Sequence, residues 1–180
     1  MKEMTLVEIN KEPGNGFYLT NKGTIHNYLP IYEALFSPLR DKELNIFEVG
    51  YYHGGSSKLW EKYFSKAIIK TIDIDNCVPF PESERIILEL RDINDIRQEY
   101  FSDFFPDIAI DDGSHLLEDQ IYFIKTVYPV LKEGGLLIVE DIQNIKNQKV
   151  VFESIGIPFD IIDLRKVKGR YDDVLILYHK

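Results

Sequence analysis

The residues best suited to chemistry sit in two short stretches, "DIAIDDGSH" ending at His115 and "LLIVED" ending at Asp141. Each is an apolar run that stops abruptly in acids. Asp112 and Glu140 are separated by 140 − 112 = 28 residues, the span of one loop, one helix and one strand. Two strand ends at that interval are expected to be neighbours, which gathers Asp112, Glu140 and Asp141 on one edge. Three carboxylates so placed repel one another unless they are protonated or neutralised by a cation. Oxygen ligands favour Mg²⁺, or another hard divalent cation such as Ca²⁺, over zinc. A cation with open positions can hold and acidify a pair of hydroxyls. His115 follows Asp112 by three residues, and an imidazole of pKa ~6.5 suits proton removal from a hydroxyl near neutrality. The plainer reading of Asp-Gly-Ser before a helix is turn and cap chemistry, and a lone histidine there is more often structural. The acids nearby make His115 a candidate general base and Asp112, Glu140 and Asp141 candidate metal ligands.

A second group of candidates surrounds "EVGYYHGGSS". A dinucleotide fingerprint would need glycine where Tyr52 stands, and a phosphate-binding P-loop would need lysine where Ser56 stands. The remaining pattern suits a cofactor that carries an amino acid and a nucleoside but no phosphate. Gly50 and Gly54 let the backbone lie against such a ligand, with Ser56 opening the following helix and Glu48 beneath the loop. Asp73 and Asp75 end the next strand on one side, and either can accept both ribose hydroxyls. Asp92 is placed to accept an adenine amine. Asp111 either faces the cofactor or caps the turn. A glycine-rich loop alone is usually only a turn; acids at successive strand ends are the stronger signal. His26 and His53 carry no assigned role.

Positioning these residues requires a sheet. Apolar strand patterns at "LNIFEVG", "AIIKTIDID", "RIILEL", "DIAID" and "GGLLIVED" alternate with helical ones. The helical stretches are "IHNYLPIYEALFSPLR", "SSKLWEKYF" with Ser56 or Ser57 as cap, "NDIRQEYFSDFF" with Asn94 as cap, "LLEDQIYFIKTVYPVLK" and "NIKNQKVVFESIG". Such alternation predicts an α/β fold, a doubly wound, Rossmann-like and mainly parallel sheet of about seven strands with helices on both faces. "FDIIDLR" and "DDVLILYHK" stand too close for a crossover helix, so the last strand is expected to be antiparallel. Ligands of such sheets bind beyond the carboxyl ends of the strands, and all five of the earlier strand ends carry acids. One domain over 1–180 is expected, with an N-terminal arm over 1–25 and the core over 26–180.

Composition narrows the partners. The 180 residues carry a net charge of −9, which argues against nucleic acid. No apolar run reaches the ~18 residues of a membrane span, and the N-terminus does not read as a secretory signal. A single cysteine, Cys77, excludes an intrachain disulfide and a multi-cysteine zinc site. A cytoplasmic location is the expectation. Aromatic residues make up 13% of the chain. Phe17, Tyr18, Tyr51 and Tyr52 are expected near a pocket mouth, where aromatics stack on substrate or meet another subunit. Homo-oligomerisation is one expectation from them, and the plainer reading is that several are core.

From about His26 onward the chain resembles the class I S-adenosylmethionine-dependent methyltransferases. The stretches "HNYLPIYEALF", "GGSSKLWEKYF", "DIAIDDGSH" and "YPVLKEGGLLIVEDIQ" resemble more closely the metal-dependent sugar O-methyltransferases of macrolide biosynthesis. The resemblance implies Mg²⁺ at Asp112, Glu140 and Asp141, His115 as general base, and a small-molecule hydroxyl acceptor, a sugar above all. Alternatives are a catechol or other phenol as acceptor, or a non-catalytic module that binds the cofactor.

Overall fold

In the computed structural model, which describes residues 3–12, 19–75, 81 and 83–180, the apolar runs form one seven-stranded sheet. Its strands are β1 (Asn45–Val49), β2 (Ile68–Asp73), β3 (Ile86–Leu90), β4 (Ile108–Asp111), β5 (Leu136–Val139), β6 (Asp160–Asp163) and β7 (Val174–His179). They lie in the order β3-β2-β1-β4-β5-β7-β6. The first five pair in parallel, and β7 runs antiparallel to both β5 and β6. The antiparallel last strand is as expected.

Side chains alternate across the sheet because a strand repeats every two residues. Ile46, Ile108, Ile110, Leu136 and Ile138 face one apolar cluster. Phe47, Ala109, Leu137 and Val139 face the other. The first face is covered by α1 (Leu6–Ile9), α3 (Leu29–Phe36) and α4 (Gly55–Tyr63), so residues of the N-terminal arm pack into the same core as β1. Between them lies the one-turn α2 (Asn21–Thr24). The second face carries α5 (Leu117–Val127) and α6 (Ile145–Glu153). α5 places Phe123, Ile124 and Val127 on one buried stripe at helical spacing.

Three local expectations are corrected. The stretch from Asn94 is not an α-helix but two 3₁₀ turns, Ile93–Asp95 and Gln98–Phe101. Asp92, not Asn94, is the cap, accepting from the Asn94 amide at 2.9 Å. The chain extends at Ile96 and Arg97 between the turns, which carries Ile96 into the core. At α4 the cap is Gly54 in a left-handed conformation. Ser56 and Ser57 lie inside the helix, with their hydroxyls turned to Glu48. The β6–β7 connection contains a single helical turn, α7 (Arg165–Lys168), closed by left-handed Gly169, with no crossover. Phe17, Tyr18 and Cys77 lie outside the described residues. Among those described, no helix is long and apolar enough to cross a membrane.

Candidate active site

Strand parity and register bring three acids together. Glu48 of β1 stands opposite Ile110 of β4, and Ile110 opposite Ile138 of β5. Asp112 and Glu140 lie two residues beyond these isoleucines. Backbone bonds from Asp112 to Val49 and from Glu140 to Asp111, both 3.0 Å, continue the ladders that far. Glu48, Asp112 and Glu140 therefore project from three adjacent strands onto the same face, at the carboxyl edge of β1, β4 and β5. Gly50 makes this closeness possible. Its φ is +92°, and a Cβ there would stand 2.1 Å from the Asp112 carbonyl oxygen.

The cation at the centre of these acids is Lys22. Its Nζ donates to Asp112 Oδ2 at 2.6 Å and Glu140 Oε1 at 2.7 Å, and lies 3.5 Å from Glu48 Oε1. Its side chain has no solvent exposure. Burial alone would lower its pKa, but Asp112, Glu140 and Glu48 outweigh burial and raise it, so the ammonium stays charged. Tyr32 Oη also donates to Glu140 Oε1. Ser56 Oγ and Trp60 Nε1 donate to Glu48 at 2.9 and 3.3 Å.

Asp141 begins a second layer. It accepts from Tyr28 Oη at 2.5 Å, and its other oxygen lies 3.7 Å from His115 Nε2. Behind it, His26 stacks on Tyr28 and pairs through Nδ1 with Asp173 Oδ1 at 2.6 Å. Arg170 pairs with Asp172 at 2.9 Å. Lys168 Nζ donates to the carbonyls of Gly23, Thr24 and His26, and Asn10 holds both backbone groups of Thr20. Segment 19–26 is thus tied down at several points around Lys22.

One lysine does not balance Glu48, Asp112 and Glu140, and Asp141 adds to the surplus. Burial pushes Glu48, Glu140 and Asp141 above the usual carboxylate range, partly opposed by Lys22 at the first two and by Tyr28 at the third. A buried surplus of this sign favours a cation or protons. Ligand atoms of Asp112, His115 and Asp141 all lie within 4.8 Å of one another. Asp112 and Asp141 offer oxygens to a hard divalent ion beside His115, whereas Glu140, the third expected ligand, is not in this group, and its Oε1 is engaged by Lys22 and Tyr32.

Beside this cluster a cleft of about 650 Å³ opens at the carboxyl ends of β1 to β4. Gly50, Ser56, Asp73, Asp92, Asp111, Asp112 and His115 line it. Asp73 accepts from the amides of Tyr51 and Tyr52, at 2.8 Å each, and so shapes the first loop. Asp111 is buried, with Oδ2 lacking a protein partner. Burial pushes its pKa up to about 7, against the lowering effect of the Gly113 amide. Glu48 and Gly54 are not in the cleft wall; they support the loop from beneath. Glu140 and Asp141 also lie behind the wall. Tyr52 is exposed at the mouth and packs on His53, ring centres 4.0 Å apart.

Lys22, Tyr28 and Tyr32 were not anticipated as site residues. The two tyrosines, four apart near the start of α3, carry a signal in their spacing. Lys22 carries none, since "TNKGT" reads as an exposed turn.

This strand order, with an antiparallel β7 and a cleft at the carboxyl edge, is the Rossmann-like fold of the S-adenosylmethionine-dependent methyltransferases. It superposes on MycE, a methyltransferase of the mycinamycin biosynthetic pathway solved with Mg, SAH and mycinamycin VI. The TM-score is 0.74 at 21% identity, over 99% of this chain and 55% of that one. In sequence the chain is a homologue of macrolide and sugar O-methyltransferases. It is 34% identical over 136 residues to the demethylmacrocin O-methyltransferase of Streptomyces fradiae, a match covering 69% of this chain and 34% of the relative. It is 31% identical over 133 residues to the 8-demethyl-8-alpha-L-rhamnosyl tetracenomycin-C 2'-O-methyltransferase of Streptomyces olivaceus, covering 69% of this chain and 35% of that enzyme. The chain thus matches about a third of the length of these curated relatives. No family model matches it.

Proposed function

We propose that the protein is a Mg²⁺-dependent O-methyltransferase that moves a methyl group from S-adenosylmethionine to a hydroxyl of a sugar or similar polyol. The observation that carries this reading is the meeting of Asp112 and His115, in the wall of a cleft whose other walls suit an amino acid and a nucleoside, with Asp141 behind them. Gly50, Ser56, Asp73, Asp92 and Asp111 are the proposed cofactor contacts, with Glu48 and Gly54 acting from below. Asp112, Glu140 and Asp141 are the proposed metal ligands. When bound, the metal would hold and acidify the acceptor hydroxyl, and the methyl donor would supply the group transferred. His115 takes the hydroxyl proton, and Asp141, 3.7 Å from Nε2, stabilises the imidazolium that results. Asp73 shapes the loop that orients the donor, so that the reacting atoms can be held in line.

Sugar-modifying relatives support a small-molecule acceptor. The net charge of −9 supports the absence of a nucleic-acid partner, and a cytoplasmic setting and self-association belong to the same reading. The test is a methyl-transfer screen against free and activated sugars and catechols, with and without Mg²⁺. Transfer to a sugar that needs Mg²⁺ is the expected result. Transfer confined to catechols would replace the acceptor class, and binding of NAD in place of S-adenosylhomocysteine would sink the proposal.

A further inference from the structure

Lys22 has no place in the mechanism above. Its ammonium does not reach the cleft wall, yet among the described residues it is the lysine or arginine side chain that the structure buries completely. Full burial of an ammonium is costly unless the charge is paired and hydrogen-bonded. Here three carboxylates from three strands meet the charge, two of them within 2.7 Å. Both close partners, Asp112 and Glu140, belong to the proposed ligand set. Lys22 takes one oxygen from each.

We propose that Lys22 is a built-in counter-cation that holds Asp112 and Glu140 together when no divalent ion is bound and competes with that ion for their oxygens. The idea rests on the metal-site reading given above. Lys22 is a positioning residue, not a catalytic one. The same clamp fixes one wall of the cleft, because Thr20, Asn21, Thr24 and Ile25, its neighbours along the chain, line it. Without Lys22, the acids would stay together only by taking up protons or by recruiting a metal in its place.

That logic predicts a sign that a merely structural lysine would not produce. Removing a positive charge beside a cation site strengthens binding of the cation, whereas a simple loss of packing weakens it. The experiment is Mn²⁺ binding, read by electron paramagnetic resonance without methyl donor, together with melting temperature with and without Mg²⁺. Wild type, K22M, K22R and the charge-compensated K22M/E140Q are compared. K22M is expected to bind Mn²⁺ roughly tenfold or more tightly than wild type and to show the larger Mg²⁺-dependent rise in melting temperature. K22R should resemble wild type, and K22M/E140Q should recover part of the metal-free stability that K22M loses. If K22M folds only when Mg²⁺ is present, the proposal is upheld.

Mn²⁺ binding by K22M no tighter than by wild type would overturn the proposal. So would a K22M that Mg²⁺ does not rescue and that gains nothing from E140Q. None of these readouts uses methyl transfer, so failure of the sugar screen leaves the test intact. If wild type and K22M both bind no Mn²⁺, the metal-site reading and this proposal fall together, whatever the screen shows.

Discussion

His115 and Asp141 face each other across the site with Nε2 and Oδ2 3.7 Å apart, and both hold left-handed backbones, φ 58° and 56°. Such conformations cost roughly 1–3 kcal/mol for residues other than glycine and gather at functional sites. Here they turn two side chains from neighbouring strand ends toward one point. His115→Ala is expected to lower methyl transfer by about 10²–10⁴-fold. Calorimetry should find S-adenosylhomocysteine affinity nearly unchanged. Full activity in the variant would remove His115 from its role as base.

Gly50 has the tightest approach in the site. Alanine there must accept φ +92° and place a methyl 2.1 Å from the Asp112 carbonyl oxygen. We expect Gly50→Ala to destabilise by about 2–4 kcal/mol, because backbone must move at the junction of β1 and β4. Urea unfolding would measure the loss. An unchanged midpoint would show that the junction yields easily.

Asp111 should leave a trace in the pH dependence of stability. Its folded pKa of about 7 lies above the ordinary value of 3.8, so the native chain binds its proton more tightly than the unfolded chain does. The stabilising contribution is full below about pH 4 and is lost as pH rises toward about 7. Asp111→Asn, which cannot ionise, should gain on wild type more at pH 8 than at pH 5. Urea melts in the presence of a chelator would show this, and an equal difference at both pH values would contradict it.

Tyr32 and Tyr28 each donate a hydroxyl to a buried acid. Tyr32→Phe leaves the Glu140 carboxylate relying on Lys22 and should cost about 1–3 kcal/mol. Thermal unfolding would read the loss. A variant as stable as wild type would mean that Glu140 is protonated or otherwise satisfied.

Metal dependence gives the most direct test of the ligand set. Chelation is expected to abolish methyl transfer and Mg²⁺ to restore it. Asp141→Asn should weaken Mn²⁺ binding at least roughly tenfold, as loss of a charged ligand does. Undiminished activity in chelator would count against the metal altogether.

Much of this was legible in the sequence, because the relevant rules are local. The 28-residue interval from Asp112 to Glu140 is enough to place their strand ends side by side, although the register that puts Glu48 on the same face comes from the sheet. The short β6–β7 connection forces an antiparallel pair. Where local rules conflicted, the sequence misled. The stretch after Asp92 has helical composition, but burying Ile96 and capping at Asp92 break it into 3₁₀ turns. The seryl pair at the start of α4 reads as a cap, yet Glu48 recruits both hydroxyls and Gly54 supplies the turn. Lys22 was beyond reach for a different reason. Its partners Asp112 and Glu140 lie 90 and 118 residues away along the chain, and no period or spacing links them. The sequence by itself determined which acids gather at the sheet edge. Only the tertiary structure decided which cation meets them, because that depends on where the N-terminal segment packs, and so on the cost of burying charge without a partner.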